Sequence, residues 1–495
     1  MQAVFRADAS VELGSGHVMR CLTLAGSLAE LGWDCGFAAR PGSREAAPAL
    51  GTAGYAIHLL EDDPGAEASA LRRRWPEGVD WLVVDHYGRD GTFESACRPW
   101  AKRILVLDDL ADRPHDCDLL LDQTLNRVPA DYAGLVSDGC RLQLGARFAL
   151  LRPEFAALRN RSLAAKRGKA SPLRLLVSLG GTDPQNVTAA VLDAIARAGV
   201  AAAVDVVMGG GSPGLAEIRA RVAATPGHKL HVSPANLGEL MAGADLAVGA
   251  AGTSSWERCC LGLPTILLVL ADNQRDNAEQ LSAAGAVRVV APDGGDIADG
   301  IARALKELAG DPGALETMSE RAAALCDGQG ALRARLALLP AQPTRDGLGV
   351  TLRLAEAYDE AVLLHWQQQP AIRSLARNPQ IPTAEEHHRW FAARMGSPDS
   401  FITLIEHGGQ IGGMLRLDRI KGAGSEAGFE VSIVVDEAHR GAGVALAALR
   451  QIRAWMPQVD FHAETLPNNA ASISLFRCAG YRQLGEHLLH SPAAQ

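Results

Sequence analysis

Several short stretches of this chain place polar side chains where glycines turn a strand into a helix. In "LGSGHVMR" (13–20), Gly14 and Gly16 flank Ser15 just ahead of His17 and Arg20. Glycines at such a junction permit a tight turn and leave the first helical amides free for an anion. An imidazole titrates near about 6.5 and is a competent proton acceptor close to neutral pH, so His17 is a candidate general base acting on water. Arg20, one turn further, could face the same cleft and pair with a phosphate or a carboxylate. A capped turn with a solvent-facing histidine and an exposed helix arginine would use the same letters.

The second design is "SLGGTDPQN" (178–186), where Gly180, Gly181 and Thr182 offer amides and a hydroxyl to a diphosphate. Asp183 and Asn186 could serve there as ordinary caps. "GAAGTSSWERCCLGLP" (249–264) repeats it: Gly252, Thr253 and Ser254 lead into a helix that carries Glu257. That carboxylate is placed to accept from a ribose diol, or simply to favour a helix start. "ADNQRDNA" (271–278) supplies Asn273 and Asn277, amides suited to sugar hydroxyls or acetamido groups.

A different chemistry is written near the other end. "VVDEAHRGAGVALAAL" (434–449) joins a strand to a helix through Arg440, Gly441, Ala442 and Gly443, with Val435 before the turn and Val444 and Ala445 opening the helix. Successive amides in such a loop converge on a pyrophosphate, and Arg440 adds charge. About thirty residues on, "ETLPNNAASISLFRCAGY" (464–481) brings Asn468 or Asn469, then Ser472, and ends at Tyr481. Glu430, on the strand before the loop, is a candidate general base, with Glu426 and Glu464 as rivals. In "TAEEHHRWF" (383–391), His387 and Trp390 could shape an acceptor site or belong to an amphipathic helix.

The elements that must carry these residues can be read from pattern. "MQAVFRADA", "DCGFAAR", "YAIHLL", "DWLVVDHY" and "RILVLDD" are short apolar runs between helical periods, and "HVMRCLTLAGSLAELG" has helical spacing that stops at Gly32. After the polar stretch "RNRSLAAKRGKASP" (159–172) the rhythm repeats in "LRLLVSLGG", "AAVDVVMGG", "KLHVS", "DLAVGAAG" and "PTILLVL". Buried strands alternating with helices predict two doubly wound parallel sheets, which take ligands in the cleft at strand carboxyl ends. "LALLPAQPTRDGLG" is marked by proline and glycine as a linker. Beyond it "GVTLRLA", "FITLIEHGGQIGGMLRL" and "FEVSIVVD" read as antiparallel strands, with "EHGGQ" as a turn. The predicted organisation is a first α/β domain over 1–158, a second over 159–335, a linker over 336–347 and an α+β domain over 348–495.

Bulk properties exclude several classes. The 495 residues allow about three domains. A net charge of -9, with acids and bases interspersed, gives no footprint for nucleic acid. Nine irregularly spaced cysteines fit neither a zinc knuckle nor a disulfide framework, and no cluster with metal-ligand spacing is visible, so no metal is expected. Arg6 and Asp8 interrupt any signal peptide and the longest apolar run is too short to span a bilayer, so a cytoplasmic protein without membrane attachment is expected.

Together, "RADAS" with "GSGHVMR", "LDDLADRPHDCDLLLDQ", "SLGGTDPQN", "GAAGTSSWERCCLGLP" and "LADNQRDNA" resemble the pseudaminic-acid pathway hydrolases over roughly residues 1–335. That family removes UDP from UDP-2,4-diacetamido-2,4,6-trideoxy-β-L-altropyranose and is similar to two-domain glycosyltransferases of the GT-B type. The resemblance implies His17 as the base that activates water, Gly181 and Thr182 at the sugar nucleotide, Glu257 on the ribose, Asn273 or Asn277 on the sugar, and Tyr87 of "DHYG" as a further sugar contact where it could equally be a half-buried strand-end tyrosine. The two late motifs resemble the GCN5-related N-acetyltransferases (GNAT) over residues 348–490. This implies acetyl-CoA as co-substrate at Val435, Arg440 to Ala445, Asn468 or Asn469 and Ser472, with Phe476 where many members have tyrosine and Tyr481 as the alternative acid. In the pathway of the first resemblance, acetylation of the sugar's 4-amino group precedes removal of UDP, so one chain carrying both would act twice on a UDP-linked amino sugar. The alternatives are a glycosyltransferase fused to an acetyltransferase, and a sugar-nucleotide sensor whose acetyltransferase modifies a protein amine.

Overall fold

The computed structural model describes all residues except 11–12, 62, 64, 166–171, 182, 291–295, 421–427, 467–468, 486 and 494–495. The chain divides into two compact units, Met1–Ala331 and Leu332–Gln495. No helix among the described residues is long and apolar enough to cross a membrane.

The first unit contains two parallel sheets. The first is made of β1 (Gln2–Ala7), β2 (Asp34–Ala39), β3 (Ala56–Leu59), β4 (Val79–Asp85), β5 (Ala101–Leu107), β6 (Leu119–Asp122) and β7 (Arg141–Leu144), in the order β3-β2-β1-β4-β5-β6-β7. Its central strands are apolar on both faces, because helices cover both; Val4, Phe5, Leu82 and Val83 are all fully buried. The chain leaves β1 through the helix Gly16–Ala29 toward β2 on one side, while β4 pairs on the other. The strand order therefore reverses between β1 and β4, and a crevice opens at their carboxyl ends.

The second sheet repeats this plan with β8 (Leu173–Ser178), β9 (Ala202–Met208), β10 (His228–Val232), β11 (Leu246–Ala250), β12 (Thr265–Leu268) and β13 (Val287–Val290), in the order β10-β9-β8-β11-β12-β13. Its switch lies between β8 and β11. Three short strands of this unit, β6, β7 and β13, went unread in the sequence. The composition change at residue 159 falls inside the helix Pro153–Ala165, whose Phe155 is buried in a core shared with Leu176, Met241 and Trp256 of the second lobe.

The second unit is built on a sheet of β14 (Val350–Leu354), β15 (Ser400–His407), β16 (Gln410–Arg419), β17 (Phe429–Val435), β18 (Phe461–Glu464), β19 (Arg482–Gln483) and β20 (Leu488–Ser491), in the order β14-β15-β16-β17-β18-β20-β19. Strands β14 to β17 are antiparallel neighbours, and Gly408 and Gly409, both at positive φ, make the two-residue turn between β15 and β16. β17 and β18 are parallel and joined across by the helix Val444–Trp455, which buries Ala448, Ile452 and Trp455. They pair only at Phe429 with Phe461 and Glu430 with His462, so beyond Glu430 the edge of β17 facing β18 is open.

Candidate active sites

His17 sits in the first turn of the helix Gly16–Ala29 at the β1–β4 switch, 7% exposed. Its Nδ1 lies 2.6 Å from Oδ1 of Asp85, the last residue of β4. Asp85 is fully enclosed, and burial opposes its charge, but Arg20 and His17 outweigh that and hold its carboxyl well below the usual range. An ionised carboxylate can only accept, so Nδ1 carries the hydrogen and Nε2 is left with the free lone pair. Arg20 does face this crevice, but its guanidinium is committed: Nε and Nη2 both donate to Asp85 at 2.6 Å, and Nη1 reaches Asp109 at 3.3 Å. Tyr87 stands edge-on to the His17 ring at 4.6 Å between centroids and donates to Asp109 at 3.3 Å. Burial, then the Asp109 charge, push its phenol upward, so it remains a donor.

The neighbouring strand end holds a second network that the motifs did not single out. Asp8, just past β1, meets His86 at 3.2 Å and accepts from the backbone of Arg40 at 2.8 Å. Buried Arg6 joins Asp8 to Glu67. The missing signal for Asp85 was available: a carboxylate closing the apolar run "WLVV" must either be stranded or find a partner at the sheet's edge.

On the second lobe, Gly181 is exposed beside Gly180, which adopts φ +107; Thr182 lies outside the described residues. Asp183 caps the helix Val187–Ala198, accepting from Val187 at 2.9 Å and Thr188 at 3.0 Å, whereas Asn186 turns to Glu217. The loop after β11 brings Gly252, Thr253 and Ser254 to the start of the helix Ser254–Cys260. Two side chains hold this loop by its carbonyls. Buried Arg258 donates to Ala250 at 2.6 Å, and Asn277 donates to Ala251 at 2.8 Å. Asn277 thus gives a donor to the loop and keeps its side-chain oxygen without a hydrogen-bond partner among the described residues, while Asn273 is exposed on a single 3₁₀ turn. Glu257 is partly buried, and desolvation lifts its carboxyl to about 6 against the pull of Arg152. The lobes meet here: a Cβ on Gly16 would stand 3.4 Å from Oγ1 of Thr253. Asn126 also donates to Gln280 at 2.6 Å.

In the second unit, Val435 ends β17 and its carbonyl accepts from Nε of Arg440 at 3.2 Å. Gly441 and Gly443 adopt φ +85 and +87, conformations that side chains resist, and Val444 and Ala445 begin the helix behind them. No side chain caps that helix. Asn469 caps the helix Ala470–Cys478 through the amide of Ser472 at 3.1 Å; Asn468 lies outside the described residues. Glu430 and Glu464 share the guanidinium of Arg377, the first at 2.6 Å, where β17 and β18 part; Glu426 lies outside the described residues. Tyr481 is buried edge-on against Phe476 with its hydroxyl unpaired, and Arg453, near the far end of the helix Val444–Trp455, is its charged neighbour. The Tyr481 hydroxyl makes no hydrogen bond to Glu430. His387 is buried in the helix Ala384–Met395 against Phe391, and Trp390 lies under Arg416 at 5.5 Å. One cluster escaped the sequence reading: Asp460, His462 and His490 hold ligand-type atoms within 4.8 Å of one another, with Asp460 already bonded to His490 at 3.2 Å and to the amide of Ala493.

Comparison with known proteins follows the same division. Residues 176–330 match the glycosyltransferase family 28 C-terminal domain, and residues 350–482 match the acetyltransferase (GNAT) domain. The chain is 24% identical over 286 residues to the UDP-2,4-diacetamido-2,4,6-trideoxy-beta-L-altropyranose hydrolase of Campylobacter jejuni, covering 58% of this chain and 97% of that protein. An uncharacterised protein of Methanocaldococcus jannaschii is 20% identical over 98% of this chain and 97% of its own. The structure of MurG from Acinetobacter baumannii superposes on 68% of this chain and 98% of its own with a TM-score of 0.50 at 15% identity. The chain is thus a homologue of that hydrolase in its first part, with two Rossmann-like domains in the GT-B manner followed by a GNAT domain.

Proposed function

We propose that a chain with this hydrolase homology and this GNAT domain is a bifunctional nucleotide-sugar enzyme: the second unit N-acetylates the 4-amino group of a UDP-linked dideoxy amino sugar, and the first unit hydrolyses the product to UDP and the free sugar. The observation that carries the hydrolytic half is the His17–Asp85 pair at the first lobe's switch point, with Thr253 of the second lobe facing Gly16 beside it. Asp85 fixes the tautomer, and Nε2 of His17 takes a proton from water. The water oxygen bonds to the anomeric carbon as the bond from that carbon to the diphosphate oxygen breaks, with inversion. UDP leaves as an anion, met by amides of the loops at Gly180–Gly181 and Gly252–Ser254, which supports departure by electrostatic stabilisation. Glu257 accepts from the ribose, and Asn273 and Tyr87 address the sugar.

The acetylating half rests on the fit of its loop to a pyrophosphate. Gly441 has open space where a Cβ would stand, the amides that open the helix Val444–Trp455 are uncapped, and Arg440 lies beside them. These residues would hold the phosphates of acetyl-CoA, whose thioester supplies the activated acyl group. The open edge of β17 beyond Glu430 offers free backbone groups to the rest of that molecule. Glu430 takes the proton from the acceptor's ammonium.

The test is a coupled assay with the 4-amino UDP-sugar and acetyl-CoA, following free thiol and free UDP by NMR. Thiol is expected first, with UDP after the amine is capped and with no sugar acceptor present. His17→Ala is expected to abolish UDP release while nucleotide binding survives. Near-normal turnover in that variant removes His17 from the reaction, and UDP release only on adding a sugar acceptor makes the first unit a glycosyltransferase.

A further inference from the structure

The stretch ahead of the GNAT sheet carries no motif, yet it is fastened to the back of the glycine loop. Gln342 and Val350 exchange two backbone hydrogen bonds at 2.9 and 2.8 Å, closing the segment between them. Inside it, Thr344 donates to Asp346 at 2.6 Å and accepts from Gly349 at 3.0 Å, so the turn braces itself. From this turn the backbone amide of Arg345 donates to the carbonyl of Ala442 at 2.8 Å, and its Nη1 reaches the carbonyl of Gly441 at 3.4 Å. Asp346 in turn meets Nε2 of His407 at 3.2 Å, whose Nδ1 faces Nδ1 of His439, the residue before Arg440, at 3.0 Å.

The direction of these bonds matters. A trans peptide sets its C=O and the following N–H on opposite sides of the chain. Carbonyls of Gly441 and Ala442 that are turned onto Arg345 therefore send the amides of Ala442 and Gly443 away from it, to the side where an anion would sit. A donor on the carbonyl also polarises the peptide and strengthens the opposite N–H. Gly441 and Gly443 reach this arrangement only at positive φ, which the free chain has no reason to hold. Arg258 and Asn277 treat the loop after β11 in the same way.

We propose that the segment Gln342–Gly349 is part of the acetyl-CoA site, with Arg345 as a positioning residue that clamps the pyrophosphate loop from behind. This rests on the reading that the second unit binds acetyl-CoA, and it lies outside the 350–482 stretch that matches the GNAT domain. The consequence is a link between the segment leading in from the first unit and the cofactor: whatever holds the segment tightens the loop, and whatever binds the loop holds the segment.

The experiment uses the full chain and two ligands, CoA and pantetheine, which lacks the pyrophosphate. Arg345→Pro deletes the amide donor and should weaken CoA binding by calorimetry about tenfold. Arg345→Ala should weaken it about threefold, and Arg345→Lys should recover most of that, while pantetheine affinity should not move. In parallel, trypsin should cut the exposed Arg345–Asp346 bond, and CoA but not pantetheine should slow that cut. Unchanged CoA affinity in both the proline and alanine variants, an equal loss for both ligands, or cleavage indifferent to CoA would each overturn the clamp. If the proline variant does not fold, the alanine variant and the protease decide. Wild-type chain that does not bind CoA at all defeats the acetyl-CoA reading instead, which is a separate result.

Discussion

Replacing Asp85 by Asn tests the arrangement at its centre. The carboxylate lies 2.6 Å from Nδ1 of His17, which puts the charge centres about 4 Å apart once the imidazole takes its proton. At an effective dielectric of about 20 that separation is about 4 kcal/mol. Arg20 shares the same carboxylate, so about half of this, about 2 kcal/mol, remains for the protonated ring in the transition state. The expected loss in kcat for UDP release is thus at least about thirtyfold, and an asparagine that presents its NH₂ to Nδ1 would reverse the tautomer and deepen it. The same change removes the main countercharge of the buried Arg20 and leaves Asp109 at 3.3 Å as its carboxylate partner among the described residues, which costs about 3 kcal/mol of stability. Two controls separate the effects. The double variant Asp85→Asn with Arg20→Met removes the stranded charge, and calorimetry of UDP binding reports the second lobe alone. A folded, UDP-binding Asp85→Asn or double variant that releases UDP within threefold of the wild-type rate would refute the role of the pair.

Three further outcomes follow from charges already described. Glu257 is lifted to about 6, so its carboxylate is lost as pH falls through that value, and affinity for a UDP-sugar should drop to about a tenth by pH 5 while Glu257→Gln shows a flat profile. For folding the sign is the reverse of a paired acid: a raised carboxyl favours the fold below its ordinary value of 4.5, and that contribution disappears as pH rises through about 6, which pH-dependent melting of wild type against Glu257→Gln would show. In the second unit, Glu430→Gln should lower kcat for amine acetylation about 100-fold at neutral pH with CoA affinity unchanged, measured by thiol release; a variant with normal turnover would pass the base to Glu464, which shares Arg377 with it.

Much of the architecture was legible because the signals are local. Buried parallel strands must be apolar on both faces, so "WLVVD" and "LRLLVS" read as strands without a partner in view, and glycines before a helix mark a loop wherever they stand. The types of residue that gather at each loop were legible for the same reason, and His17, Glu257 and Glu430 were singled out as candidates this way. What tertiary structure alone decided is which side chains are already taken. Arg20 has the right chemistry for a ligand, yet Asp85 occupies it, and Asn277 has given a donor to the carbonyl of Ala251 while its oxygen stays unpaired among the described residues. Asp85 and Arg345 carry no motif, and their importance arises from partners 68 and 96 residues away. Sequence records the capacity of a polar group to bond; only the packed chain, by bringing distant strands and loops within 3 Å, settles where that capacity is spent and where it is left free for chemistry.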